Sequence, residues 1–168
     1  DQYERYRHVA PSIAFPESHD TERLAADFQA RGIADANTIE ECCRQRYLFA
    51  AAFSSGVMIP IGFEYGFTRQ LNVVTTRPSD WEEPLFDISA FIAEVNAMKA
   101  AEPVLNEEGP QYRLYAGPYN ATALVRHGAN NGHRVITGIN PRADRPAAID
   151  LSAVPGAAMA KGPFREIT

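Results

Sequence analysis

The chain has 168 residues, of which 45% are hydrophobic and 22% are charged, the balance of an ordinary soluble globular protein. It is too short for a complete (β/α)8 barrel, which takes roughly 200 residues or more. Sixteen Lys and Arg against 21 Asp and Glu give a net charge of -5 without any block of basic residues, which argues against nucleic acid and anionic membranes as partners. The longest apolar stretch, within residues 47–67, is interrupted by Gly56 and Pro60, so no transmembrane span is predicted.

The two cysteines, Cys42 and Cys43, are adjacent, a spacing that neither a disulfide framework nor a metal site uses. We interpret them as reduced thiols on a helix. Together with an amino-terminal segment that has no signal-peptide pattern, they predict a reducing, cytoplasmic location. The remaining candidate ligands, His8, His127 and His133, are scattered, so we expect no metal and no cofactor.

The first predicted element is a buried strand over Val9–Phe15, where the residues are small and apolar. It runs into a polar loop over residues 16–21. A short helix is predicted for Thr21–Ala30, with Thr21 as its N-cap and Gly32 just past its end.

A longer amphipathic helix is predicted over Ile39–Phe53, capped by Asn37 or Thr38, because its apolar residues recur on one face. The apolar run Val57–Ile61 predicts a second buried strand, followed by a sharp turn at Gly62–Gly66. Apolar strands flanked by helices are typical of a parallel sheet that is buried on both faces.

The stretch Thr68–Pro84 has no clear periodicity and is interpreted as an ordered loop that carries Trp81. Asp87 is placed to cap a further amphipathic helix that continues to Lys99. Strands and helices therefore alternate through residues 1–104, which we assign to an α/β unit.

Residues 105–168 have a different sequence pattern, in which short runs of β-forming residues are separated by Gly, Pro or Asn. This spacing predicts an antiparallel sheet or half of a sandwich. The predicted strands are Tyr112–Tyr115, Thr122–Arg126, Arg134–Ile139 and Ala148–Leu151.

Candidate site residues stand directly after the first apolar strand. Glu17, His19 and Asp20 occupy the position at which a (β/α)8 barrel carries its active-site residues. A carboxylate beside a histidine can accept hydrogen bonds from sugar hydroxyls and stabilise a developing positive charge. The alternative is that Asp20 and Thr21 only cap the next helix and that His19 is an ordinary loop residue.

The segment Phe15–Asp20 resembles the fourth signature region of the alpha-amylase superfamily, at the end of the seventh barrel strand. The order of the downstream segments is similar as well. Residues 54–66 resemble the eighth strand with its Gly-x-Glu loop, residues 88–105 the last barrel helix, and residues 122–140 the first strands of the following domain. The resemblance implies the last two βα units of a (β/α)8 barrel, followed by an antiparallel β-sandwich.

The same resemblance implies roles for individual residues. Asp20 would stabilise the oxocarbenium-like transition state, and His19 would hydrogen-bond the sugar. Glu17 and Glu64 would be loop carboxylates near a sugar subsite, and Trp81 would stack on a sugar. Glu64 could instead have a turn or salt-bridge role, and Trp81 could be a packed loop anchor.

The nucleophile and the acid/base of this superfamily lie at the ends of earlier strands. We therefore expect the chain to be the carboxy-terminal part of a longer enzyme acting on α-1,4-glucans or maltooligosaccharides, and to be inactive alone. Residues 62–64, 77–81 and 95–96 are similar to the branch that transfers maltosyl units from maltose 1-phosphate. Two other hypotheses stay open: a non-catalytic relative that binds sugars or partners, and an unrelated small α/β domain.

Overall fold

The computed structural model describes residues 2–115, 121–130 and 132–140, together with positions 146, 148, 150 and 154. Within these residues, none of the helices combines the length and the hydrophobicity that a membrane-spanning helix requires. The strands that they contain form a parallel pair and a separate three-stranded antiparallel sheet.

The parallel pair belongs to the amino-terminal half of the chain. After a short helix, α1 (Gln2–Tyr6), come β1 (Ile13–Ala14), α2 (Leu24–Ala30), α3 (Ala36–Phe53) and β2 (Gly56–Val57). The pairing of β1 with β2 is parallel, as predicted, and α2 and α3 form the crossover between the two strands.

Both strands are shorter and more exposed than predicted. The ladder pairs two residues of each strand, and Pro11 and Pro60, which have no N–H group to donate, lie outside it. The prediction of a buried strand is wrong for β1, where Ile13 is 62% exposed. In the described part of the chain each strand has only the other as a sheet neighbour, so its other edge is unpaired.

The long helix α3 begins earlier than its apolar pattern predicts. The Asp35 carboxylate accepts hydrogen bonds from the N–H and the hydroxyl of Thr38, at 2.8 and 2.7 Å. Asp35 is therefore the N-cap, and the predicted cap at Asn37 or Thr38 is wrong, because Thr38 is the donor in this arrangement. The predicted buried face is confirmed.

The helix α2 ends in a Schellman motif. Gly32 has a φ of 88°, in the left-handed region, and its N–H donates to Gln29 O at 2.9 Å. The next residue, Ile33, donates to Phe28 O at 3.0 Å. Gly32 therefore closes α2, as predicted.

The last helix, α4 (Ser89–Ala101), packs with α2 and α3 around one apolar core. Asp87 accepts a hydrogen bond from the Ser89 N–H at 2.8 Å, but it lies one residue before the N-cap, Ile88, so the prediction that Asp87 caps this helix is wrong. Both cysteine thiols are free, and burial raises the pKa of Cys43 to about 12. The core consists of Ala25, Phe28, Ile39, Cys43, Tyr47, Ala51, Phe63, Phe86, Ile88, Ile92 and Val95.

The antiparallel sheet has the order β3 (Gln111–Tyr115), β4 (Thr122–His127) and β5 (Arg134–Ile139). These are three of the four predicted strands. The fourth, predicted at 148–151, falls largely outside the described residues. The assignment of the two parts to a barrel and a sandwich stays a prediction.

Buried cations join the sheet to the helices at the carboxyl end of α3. Lys99, on α4, donates from Nζ to Ala51 O at 3.0 Å, to Ser54 O at 2.7 Å and to Leu105 O. Arg126, on β4, donates from Nη1 to Ala52 O at 3.0 Å. These cations satisfy carbonyls that a helix end leaves without partners, and they lie at the negative end of the helix dipole.

A carboxylate lies close enough to these cations to influence their charge. Glu108 accepts hydrogen bonds from the N–H and hydroxyl of Ser12, at 2.6 and 2.9 Å, and from the Ser55 hydroxyl. Its charge favours the protonated forms of both Lys99 and Arg126. The start of β1, the end of α3 and the segment before β3 therefore share one polar network.

We expect Lys99→Met to lower the free energy of unfolding by about 1–3 kcal/mol, because it leaves buried carbonyls without a donor. Glu94→Ala, on the exposed face of the same helix, is the control and should change stability little. Urea unfolding of the three proteins measures the difference. Equal midpoints for Lys99→Met and the control would contradict this role of Lys99.

The pH dependence of stability should also depend on Lys99. Burial, with a contribution from Arg126, lowers the pKa of Lys99 from 10.5 to about 8. Between these two values the unfolded chain binds more protons than the folded chain, so the unfolding free energy contributed by this group rises with pH. We expect unfolding curves from about pH 8 to pH 10.5 to show this rise in the wild type relative to Lys99→Met. Parallel pH profiles of the two proteins would refute it.

Candidate functional site

The loop after β1 presents two of the predicted site residues to solvent. Ser18 is buried, and its carbonyl accepts hydrogen bonds from the hydroxyl and the N–H of Thr21, at 3.1 and 3.3 Å. The Asp20 N–H donates to the Ser18 hydroxyl at 3.3 Å. Thr21 is thus part of this turn, and the prediction that it caps α2 is wrong.

His19 and Asp20 lie side by side on the outside of the turn. Their side chains are 45% and 81% exposed, and His19 Nε2 is 3.4 Å from Asp20 Oδ1. An exposed carboxylate next to an imidazole can accept hydrogen bonds from the hydroxyl groups of a ligand without first breaking a hydrogen bond inside the protein. Both side chains are therefore open to solvent, and their sugar-binding roles stay a prediction.

Glu17 points the opposite way, into the protein. Its side chain is 3% exposed, and Oε2 accepts a hydrogen bond from the Leu24 N–H at 2.6 Å. Oε1 lies 3.2 Å from Nη1 of the buried Arg23. Glu17 rather than Thr21 therefore holds the amino end of α2, at the favourable end of the helix dipole.

The burial of Glu17 changes its proton affinity. Burial raises the pKa of Glu17, the Leu24 N–H and the Arg23 charge oppose this, and the charge of Glu64 adds to it. The predicted carboxylates Glu17 and Glu64 are thus close enough to interact electrostatically.

Arg23 connects the loop after β1 to the loop after β2. Its guanidinium donates to Ile61 O at 3.1 Å and to Phe67 O at 3.3 Å. Between them lies Gly62, with a φ of 90°; a Cβ there would be 2.8 Å from Arg23 Nη2 and 2.3 Å from the Phe67 ring. Glycine is therefore required for the two loops to approach each other.

The remaining predicted residues belong to the second loop and the segment after it. Glu64 Oε2 accepts a hydrogen bond from the Gly62 N–H at 2.9 Å, which is the turn role considered as its alternative. Trp81 is exposed and contacts Phe67 edge to face, with ring centroids 6.3 Å apart. Trp81 is therefore anchored on one edge while it keeps surface that a ligand can contact.

Arg23 was not among the residues singled out from the sequence. The available signal was the pair of opposite charges, Glu17 and Arg23, on either side of the loop before α2. Its carbonyl acceptors lie 38 and 44 positions away in the chain, and no local pattern reports such contacts.

In the part of the chain that the structure describes, no group of three or more His, Cys, Asp or Glu side chains is placed to hold a metal ion.

Comparison with known proteins relates the chain to an α-glucan-active enzyme. It is 33% identical over 179 residues to Alpha-1,4-glucan:maltose-1-phosphate maltosyltransferase of Burkholderia pseudomallei (strain K96243). The alignment covers 99% of this chain and 15% of the relative's length. No protein-family model matches the chain, and no solved structure matches it. The similarity supports the coarser part of the prediction, a relationship to α-1,4-glucan enzymes.

We expect Arg23→Ala to lower the free energy of unfolding by about 3–5 kcal/mol, because it leaves the buried Glu17 carboxylate without its cation. Arg31→Ala is the matched control, since Arg31 forms an exposed ion pair with Asp27 that is worth about 1 kcal/mol or less. Chemical denaturation measures both variants. A similar small loss in both would show that the Glu17–Arg23 pair is not needed to hold the loops.

Proposed function

We propose that this chain contributes the end of the catalytic domain, and the beginning of the next domain, to an enzyme that transfers maltosyl units from maltose 1-phosphate to α-1,4-glucans. The observation that carries the proposal is the similarity to a maltosyltransferase along 99% of the chain. The proposed substrates are accordingly maltose 1-phosphate as donor and an α-glucan or maltooligosaccharide as acceptor.

The parallel pair supports the barrel part of this proposal. In a barrel, the loops at the carboxyl ends of the strands carry the active site. Both loops of the candidate site follow the carboxyl ends of β1 and β2, and they are tied together by Arg23. Ile13 on β1, and Phe15 and Met58 directly after β1 and β2, are exposed, as expected for residues that further barrel strands would cover.

Asp20 is the residue to which we assign the central role. Cleavage of a glycosidic bond develops positive charge on the sugar ring, and a nearby carboxylate stabilises that charge and accepts hydrogen bonds from ring hydroxyls. His19, beside Asp20, would donate a hydrogen bond to the same sugar. A retaining mechanism also needs a carboxylate nucleophile and an acid/base, which we assign to strands outside this chain.

Glu17 has a positioning role in this proposal and does not contact the sugar. It caps α2 and neutralises Arg23, so that the turn carrying His19 and Asp20 keeps its position relative to the second loop. Trp81 would offer an aromatic surface to the sugar.

In the enzyme that contains this chain, we expect Asp20→Asn to lower kcat by about 10²–10³-fold, the cost of losing one preorganised electrostatic contact to the transition state. Phosphate release from maltose 1-phosphate in the presence of glucan measures the rate. The control is Glu22→Gln, which removes an exposed carboxylate of the same loop and should leave the rate close to wild type. A fully active Asp20→Asn enzyme would refute the assigned role and favour a non-catalytic function for this site.

A further inference from the structure

A groove of about 430 Å³ lies between α3 and the antiparallel sheet. Ligand-binding pockets in proteins have volumes of about 300–1,000 Å³. One wall is the outer face of α3 and the other is the sheet face that carries Gln111, Arg113 and Leu124. The groove is therefore large enough for a ligand and is built from both parts of the chain.

The groove wall formed by α3 carries aromatic side chains. Phe49 is exposed, and its ring centroid is 5.5 Å from that of Phe53. Tyr3 contacts Phe53 from the other side, at 6.0 Å between centroids. These contacts hold the two Phe rings in place, and the apolar face of a sugar ring can pack on such a surface.

The polar side chains in the groove can form hydrogen bonds with hydroxyl groups. The Arg113 Nε donates to the Thr122 hydroxyl at 2.9 Å, which fixes the guanidinium on the groove wall. Arg46 is exposed, and no carboxylate among the described residues lies within ion-pair distance of it. The Arg46 guanidinium can donate hydrogen bonds to an oxygen-rich ligand.

One residue that lines the groove has an unsatisfied acceptor. Gln111 is buried, and its Oε1 has no hydrogen-bond donor among the described residues. A hydroxyl group can donate a hydrogen bond to an acceptor of this kind.

The groove lies at the opposite end of the β1–β2 pair from the His19–Asp20 turn. Phe53 is the last residue of α3 and directly precedes the amino end of β2, whereas the turn follows the carboxyl end of β1. Because the two strands are parallel, these ends point in opposite directions. A ligand in the groove would therefore not occupy the proposed active site.

We propose that this groove is a second binding site for an α-1,4-glucan chain, which keeps the polymer on the enzyme away from the reacting end. The choice of glucan rests on the proposed function, while the groove itself rests on its own contacts. A glucan presents apolar ring faces to Phe49 and hydroxyls to Arg46 and Gln111. It carries no charge, so it needs no ion pair in the groove.

The test measures maltoheptaose binding by calorimetry to the whole enzyme carrying Asp20→Asn, which weakens binding at the active site. Adding Phe49→Ala should weaken the remaining binding about tenfold, the effect of losing one ring contact. Tyr6→Ala is the control, because Tyr6 is an exposed aromatic residue outside the groove, and it should leave the affinity unchanged. Alanine suits the exposed helical position of Phe49, so folding should be retained.

Equal affinities with and without Phe49→Ala would overturn the proposal. So would binding of maltose 1-phosphate in the groove without binding of the neutral maltoheptaose, since that would identify an anion site. The proposed function is tested separately by the turnover of Asp20→Asn. Normal turnover in that variant would reject the catalytic role of Asp20 and leave the groove measurement valid.

Discussion

The carboxyl end of α3 is the point on which the rest of the structure depends. A helix end exposes carbonyl groups that need donors, and here they lie inside the protein, where water cannot serve. Lys99 and Arg126 reach this end from a helix and from a strand of the antiparallel sheet. Burying two cations is costly, but their hydrogen bonds to fixed carbonyls define how the sheet is placed against the helices.

A buried ion pair has a similar role near the candidate site. Glu17 and Arg23 connect α2 to the loops after β1 and β2. Such a pair is poor evidence for stability, because desolvation offsets most of its attraction. We interpret it as a device that fixes loop positions. In the proposed function, the exposed His19 and Asp20 bind the sugar, while the buried pair fixes the loop that carries them.

The structure separates two surfaces with different chemistry. At the carboxyl ends of the parallel strands, His19, Asp20 and Trp81 offer charge and one aromatic ring. Around the opposite end, Phe49 and Arg46 border a groove against the antiparallel sheet. If both bind α-glucan as proposed, one would position the reacting sugar and the other would hold the polymer. The network around Lys99, Arg126 and Glu108 connects the elements that carry these surfaces.

The sequence by itself determined the buried face of α3, the glycine turns at Gly32 and Gly62, and three antiparallel strands, because periodicity and backbone freedom are local properties. It also singled out His19 and Asp20 as candidate site residues through a short motif, and their roles stay a prediction. Only the tertiary structure decided that Glu17 faces inward and that Lys99 and Arg126 are buried. The acceptors of these two cations include carbonyls 48 and 74 positions away. A charged residue is predicted to lie on the surface unless the distant carbonyls that surround it are known.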